Sequence, residues 1–412
     1  MNAALTPDGE DGTTGVGDAR PGADDEAPVI RGNIPGSFPR SVLEERHPAL
    51  IDRVRRSFPY GAEQQRALDA LLIEIDGGDI TPLPEEAHDH ERWAEWGYPH
   101  HGRRWLDVPF LWAESFFYRR LLEAVSHFGP GPWRGLDPFA PVKHAELRGE
   151  GVDALLEALH DLGSRPAEER LRALLLASLQ GNRADLSFGM VPGGGLGEGE
   201  AGLVVDELTA ARDLLEPGPE GAGTVAVIAD NSGRELIADL ALIDHLLVHG
   251  LADRVVLHVK PAPYYVSDAV LADVMHAVRR LSFGPGRTAG IGERLWEAIG
   301  TDRLSLSAHP FFCSPLTFAE MPADLRTELA GCAVSLFKGD LNYRRLVGDR
   351  LWPATTPFAP LVAHFPSPVV ALRLLKSDVV TGLPVGTVNR LTATEDDWRI
   401  SGAHAVVQTA GS

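Results

Sequence analysis

Basic residues and cysteines are scarce in this chain. Lys and Arg number 38 against 58 Asp and Glu, which leaves a formal net charge of −20. Nucleic acids and anionic membrane surfaces are bound through concentrated positive charge, so neither is an expected partner. Any phosphate group must be met by a few local cations. Cys313 and Cys332 are the only cysteines, which gives no disulfide framework and suits a reducing, cytoplasmic setting. No uninterrupted apolar stretch reaches the roughly 20 residues that span a bilayer, and no basic segment leads into an apolar run at the amino terminus. Also missing is a G-x-G-x-x-G turn at the opening of a helix, which counts against a dinucleotide or methyl-donor site.

What is present is enough apolar material for a large core: 44% of the 412 residues are hydrophobic. Residues 1–32 are rich in Gly, Asp, Glu and Ala and read as a disordered acidic tail. Residues 33–202 read as a mainly helical domain. Leu43, Leu50, Ile51 and Val54 recur at helical spacing, and Ala67, Leu68, Leu71, Leu72 and Ile75 repeat the pattern. The interval 88–105 holds His88, His90, His100 and His101 without a tight ligand spacing, and is expected to be a surface loop. An aromatic-dense helix follows over 108–125, where Glu114 and Arg119 need partners if buried and can pair with one another or reach a ligand. After the helical run 167–179 comes a polar break at 180–187. The glycine-rich stretch 192–202 lacks a terminal Lys-Ser/Thr and a preceding strand, so it reads as a flexible connection and not a phosphate loop.

From about Leu203 the rhythm becomes strand, helix, strand. Strands are expected at 224–230, 254–260, 304–308, 333–338 and 369–374, with helices at 234–249, 269–281 and 341–347. This alternation predicts an α/β fold with a doubly wound, largely parallel sheet, residues 203–412 forming a metal- and phosphate-binding domain behind the amino-terminal helical one.

In such a sheet, ligands sit beyond the carboxyl ends of the strands. Asp230 and Asn231 end the first of these strands, and their oxygens suit a hard divalent cation; equally, either can cap the helix that follows. Asp268 follows the second strand, and Lys338 and Asp340 end a later one. Together they fit a metal site with a phosphate beside it. Asp340 has two readings, an orienting or proton-accepting group for water and an N-cap of its own helix.

The segments ADNSGRELIADLALIDHLL, YYVSDA and LFKGDLNYRRLVGD resemble the signature of the metal-dependent damage-control phosphatases, and WAESFFYRRL, GNRADLSF and DWRISGAHAVVQ extend the likeness along the chain. The resemblance implies that Asp230, Asn231 and Asp268 are metal ligands, the ion being Mn²⁺, Co²⁺, Ni²⁺ or Mg²⁺. It also implies that Asp340, Asn342, Tyr343 and Arg344 belong to a substrate-contacting loop, and that Lys376 touches phosphate. The family's terminal Arg-Thr-x-Lys is here Arg373-Leu374-Leu375-Lys376, with leucine in place of threonine. Expected activity is hydrolysis of a small phosphorylated metabolite, a sugar phosphate such as fructose 1-phosphate, with Glu114 and Lys338 as further substrate contacts. The alternatives are an S-adenosylmethionine-dependent carboxyl methyltransferase and a non-catalytic sugar-phosphate-binding protein. Oligomeric state is not readable from the chain.

Overall fold

A computed structural model describes residues 27–181, 202–219 and 221–411. Its frame is a seven-stranded sheet made of β1 (Leu203–Asp206), β2 (Thr224–Ile228), β3 (Arg254–His258), β4 (Leu304–Ser307), β5 (Val334–Lys338), β6 (Val369–Leu374) and β7 (Ala405–Ala410). The spatial order is β1-β7-β6-β5-β2-β3-β4. All neighbours pair in parallel except β6 and β7. The expected α/β class and largely parallel sheet hold; β1 and β7 are additions to the five strands read from the sequence.

Parallel strands covered on both faces need apolar side chains pointing both ways. β2 does this with Val225, Ala226, Val227 and Ile228, all buried. Ala226, Ile228, Phe337 and Ala371 face a core completed by Leu68 and Leu71 of the helix Ala62–Ile75 and by Phe116 and Phe117 of the helix Phe110–Ala124. Val225, Val227, Leu336 and Val370 face the other core, with Leu174 of the helix Ala167–Gln180, Leu240 of Arg234–Val248 and Val274 of Leu271–Ser282. Each core therefore draws on both the helical first part of the chain and the strand-bearing second part.

From β2 the chain runs outward through β3 and β4, then returns to place β5 and β6 on the other side of β2. Strand order reverses between β2 and β5, and that reversal is where an open parallel sheet places its ligand crevice. Asp230 and Asn231 follow β2, and Gly339 and Asp340 follow β5.

Two stretches differ from expectation. The interval 88–105 is not a surface loop throughout: His90–Gly97 is a helix, and Trp93 and Trp105 are buried against Phe116. Large aromatic area outweighs the polar residues around it. The boundary read for the tail also differs. Residues 1–26 lie outside the described residues, as do 182–201 with most of the polar break and the glycine-rich connection. Residues 27–32, however, are docked. Ile30 is buried in the first core, its carbonyl accepts from Phe110 N at 2.8 Å, and Pro28 O accepts from Leu351 N at 2.9 Å.

Removing residues 1–32 should therefore destabilise the protein relative to removing 1–26, and Ile30→Ala alone should cost about 2–4 kcal/mol. Urea unfolding of the truncations and the point variant checks this. Equal stability of the two truncations would contradict it.

Candidate active site

The loops after β2 and β3 are held edge to edge by main-chain bonds. Asn231 and Asp268 form an isolated antiparallel bridge, Ser232 N donates to Ser267 O at 2.7 Å, and Ala269 N donates to Asp230 O at 2.8 Å. Loops 35 to 39 residues apart in sequence thus meet at one wall of a cavity of about 510 Å³, a volume suited to a small metabolite. Asp230, Asn231, Asp268, Asp340, Arg344, Lys376 and Glu114 all line it.

Neither Asp230 nor Asn231 caps the next helix. The residue before that helix is Gly233, at φ +70°, with no side-chain cap, and the first-turn N–H of Arg234 donates to Glu146 Oε1 at 3.3 Å. Instead, Asn231 Nδ2 donates to Asp230 Oδ2 at 2.6 Å and to Glu235 Oε2 at 2.8 Å, while its Oδ1 accepts from Ser267 Oγ. Carboxylates only accept, so the amide NH₂ must face them and the amide oxygen must face away. Glycine is required at 339: φ is +80°, and a Cβ there would lie 1.9 Å from Asp230 Oδ2. The main chain after β5 is thus pressed against the carboxylate after β2.

Burial raises the Asp230 pKa well above the usual carboxyl range, and the like charges of Glu235 and Asp268 push it further in the same direction. Asp268 is also raised by burial, opposed chiefly by the Lys260 ammonium, whose Nζ is 4.0 Å from Asp268 Oδ2. Carboxylates buried this close together are a fit place for a divalent cation. Among the described residues no three His, Cys, Asp or Glu side chains gather as a ligand group, so a cation here would need the Asn231 amide, whose oxygen accepts from Ser267 Oγ, to turn that oxygen toward the two aspartates.

Across the cavity, Asp340 does not cap its own helix, Gly339–Val347. Its Oδ1 takes Arg373 Nε at 2.8 Å, Lys376 N at 3.2 Å and Ser377 Oγ at 3.1 Å, and its Oδ2 makes no hydrogen bond among the described residues. Arg344, one turn on, is gripped by Glu114 Oε2 at 2.9 Å and Asp349 Oδ1 at 2.6 Å, and its Nη2 is buried without a partner. Tyr265 Oη also donates to Glu114 Oε2, at 3.1 Å. Lys376 Nζ has no hydrogen bond or ion pair among the described residues, and the side chain lies on the cavity wall.

Three expected contacts lie elsewhere. Lys338 points to the opposite side, its Nζ bonded to Ser178 O at 2.6 Å, Glu235 Oε1 at 2.8 Å and Asp239 Oδ1 at 3.1 Å. It shares the sheet face of Val334 and Leu336, as strand alternation requires. Asn342 is fully buried and donates to Ala229 O and Lys338 O, tying the start of its helix to β2. Tyr343 is buried as well, with its hydroxyl on Thr381 and Gln408 and its ring stacked on Phe358. All three support the wall from behind and do not line the cavity.

The sequence profile of the damage-control phosphatase ARMT1-like domain matches residues 42–391. The chain belongs to that family. It is 30% identical over 437 residues to the damage-control phosphatase ARMT1 of Xenopus laevis, covering 93% of this chain and 98% of the relative. Against the protein of that name from Rattus norvegicus it is 29% identical over 433 residues, covering 91% and 97%. A DUF89-family protein of Pyrococcus horikoshii superposes with a TM-score of 0.48 at 12% identity, over 90% of this chain and 96% of that one. As a member of the damage-control phosphatases, the chain is a phosphatase.

In this damage-control phosphatase the first part of the chain also reaches the cavity. Arg46, His47 and Arg53 line it, the first from a π-helical turn, Val42–Arg46. His47 falls on the apolar stripe of Leu43, Leu50 and Val54, which was a readable signal of burial. Its ring stacks on Phe117 at 3.6 Å, and burial lowers its pKa to about 3, so the imidazole is neutral. Tyr265, Ser267 and Glu235 complete the wall.

Two outcomes follow from these charges. With its pKa raised on folding, Asp230 makes the cation-free folded protein the better proton binder. Its contribution to stability is thus present in acid and lost as pH rises through the folded pKa, above the usual carboxyl range. In chelator the melting temperature should fall as pH rises, Asp230→Asn should blunt the fall, and a divalent cation should reverse it in the parent only; a flat parent profile would contradict this. Lys338→Met should cost about 3–5 kcal/mol, because it strands the buried charges of Glu235 and Asp239. Chemical denaturation of the variant measures it.

Proposed function

We propose that this chain hydrolyses small phosphorylated metabolites, sugar phosphates such as fructose 1-phosphate among them, using a divalent cation held by Asp230, Asn231 and Asp268. The observation that carries this reading is the bridged pair of loops, which brings two buried aspartates and Asn231 to the wall of a cavity that also holds the Lys376 ammonium, without a hydrogen bond or ion pair among the described residues. Mn²⁺, Co²⁺, Ni²⁺ and Mg²⁺ all suit such an oxygen set. When bound, the cation polarises a phosphoryl oxygen and lowers the pKa of water beside it.

The chain's own groups supply the rest. Lys376 Nζ and the free Nη2 of Arg344 bind and neutralise the phosphoryl oxygens as water attacks phosphorus. Asp340, fixed through Oδ1, takes the proton of that water on Oδ2. As the bond from phosphorus to the sugar oxygen breaks, the leaving alkoxide takes a proton from solvent water, Asp340 returns its proton to solvent, and the products are an alcohol and inorganic phosphate. Glu114 accepts a hydrogen bond from a substrate hydroxyl. Leu374 lines the cavity and gives it an apolar contact where the family motif has a hydroxyl, which shifts preference among substrates. We place the protein in the cytoplasm, acting on soluble substrates; among the described residues no helix is long and apolar enough to cross a membrane.

A screen of phosphate release over metals and phosphate esters tests the reading. Turnover should require added divalent cation, and Asp230→Ala and Asp268→Ala should each lose at least about a hundred-fold, the upper end of what losing a mere outer partner costs. Hydrolysis undiminished in chelator, with no metal in the protein, would contradict it. Lys376→Ala should lose a charge-assisted contact of about 1.5–3 kcal/mol, roughly ten- to a hundred-fold in kcat/KM on fructose 1-phosphate. An efficiency within about twofold of the parent, a difference too small for a charged contact, would place Lys376 outside the site.

A further inference from the structure

One buried side chain ties the helical first part of the chain to the loop that carries Asp268. Lys143, on the helix Ala140–Leu147, is 3% exposed and lies outside the cavity lining. An ammonium has three donors and no acceptor, and here all three are used. Nζ donates to Asp137 Oδ2 at 2.8 Å, to Asp273 Oδ2 at 2.9 Å and to the main-chain carbonyl of Asp268 at 2.7 Å.

The acceptors come from three separate places. Asp137 precedes the lysine's own helix, Asp273 lies in the first turn of the helix Leu271–Ser282, and Asp268 ends the loop after β3. The two carboxylates are themselves held, Asp137 Oδ1 by Phe139 N at 2.7 Å and Asp273 Oδ2 by Val270 N at 3.0 Å. They form a fixed base from which the ammonium holds the Asp268 main chain. On its other side the same residue bridges Asn231, and its Oδ2 accepts from Tyr265 N at 3.2 Å. The direction in which the Asp268 carboxylate points is therefore set from both flanks.

We propose that Lys143 is a positioning residue for the cation site: by fixing the carbonyl of Asp268 it holds that carboxylate beside Asp230 and so sets the affinity for the divalent cation. The inference rests on the reading that Asp230, Asn231 and Asp268 hold the cation. Without the ammonium, the Asp268 carbonyl is buried with no partner, and Asp137 and Asp273 lose the charge they share. The loop then shifts, and the ligand with it. Partners one step behind a metal ligand typically set affinity by about ten- to a hundred-fold.

Direct Mn²⁺ binding to the full chain, by calorimetry and by the spin-resonance signal of free Mn²⁺, tests this on the parent, Lys143→Met and Lys143→Arg. The folded state of each is checked by near-ultraviolet circular dichroism. For Lys143→Met the Mn²⁺ dissociation constant should rise about ten-fold or more, with turnover at saturating Mn²⁺ falling by a smaller factor. Lys143→Arg keeps the charge, but its planar fork does not reproduce three converging bonds. It should weaken binding in the same direction, and it carries the test if the methionine variant does not fold. A folded variant whose dissociation constant stays within about twofold of the parent's, below the range for such partners, overturns the proposal. A parent that binds none of Mn²⁺, Co²⁺, Ni²⁺ and Mg²⁺ overturns the underlying reading instead, and that result is read without any variant.

Discussion

Repulsion among buried carboxylates is the constraint on which the rest of this structure depends. Asp230, Asp268 and Glu235 are all buried at or beside one cavity wall, and the Asp230 pKa is raised by burial and by its two acidic neighbours. Keeping such a group together needs positive charge close behind it. Three buried lysines provide it: Lys338 on Glu235, Lys260 beside Asp268, and Lys143 on the Asp268 main chain. All three approach from outside the cavity lining. The compensation is thus placed where it orients the oxygens without filling the space in front of them.

The fold explains why these groups meet. Strand order reverses between β2 and β5, which is where an open parallel sheet places its ligand crevice, and the loops after β2 and β3 are bridged. Gly339 lets the β5 loop approach to the limit set by the Asp230 carboxylate. From there the helix Gly339–Val347 presents Asp340 and Arg344, one turn apart, to the same cavity. The first part of the chain closes the far side with Arg46, His47, Arg53 and Glu114. It is as much a part of the site as the sheet is.

Much of this was legible in the sequence, for physical reasons. Apolar runs ending in Asp230-Asn231, in the segment before Asp268 and in Gly339-Asp340 mark strand ends, and strand ends are where a parallel sheet places its ligands. Lys338 misled because it was judged by position along the strand and not by side. Alternation puts it with Val334 and Leu336, on the face packed by helices. Asn342 and Tyr343 misled in the same way: their polar atoms are matched to buried partners, Ala229 O and Gln408, which no local pattern reveals. Arg46 and Arg53 were illegible because exposed arginines on a helix look alike until the helix is docked. His47, a polar residue on an apolar stripe, did carry a signal. The docking of residues 27–32 buries only Ile30 and the small Ala27 among apolar side chains, too little for composition to detect.

We propose above that the wall formed by Asp230, Asn231 and Asp268 is where the divalent cation sits. Anomalous diffraction from crystals grown with Mn²⁺ would locate it directly. One strong peak is expected in the cavity within coordination distance, roughly 2.0–2.6 Å, of oxygens from Asp230, Asn231 and Asp268. A peak bound elsewhere with this wall empty, or none at a Mn²⁺ concentration that supports turnover, would contradict it.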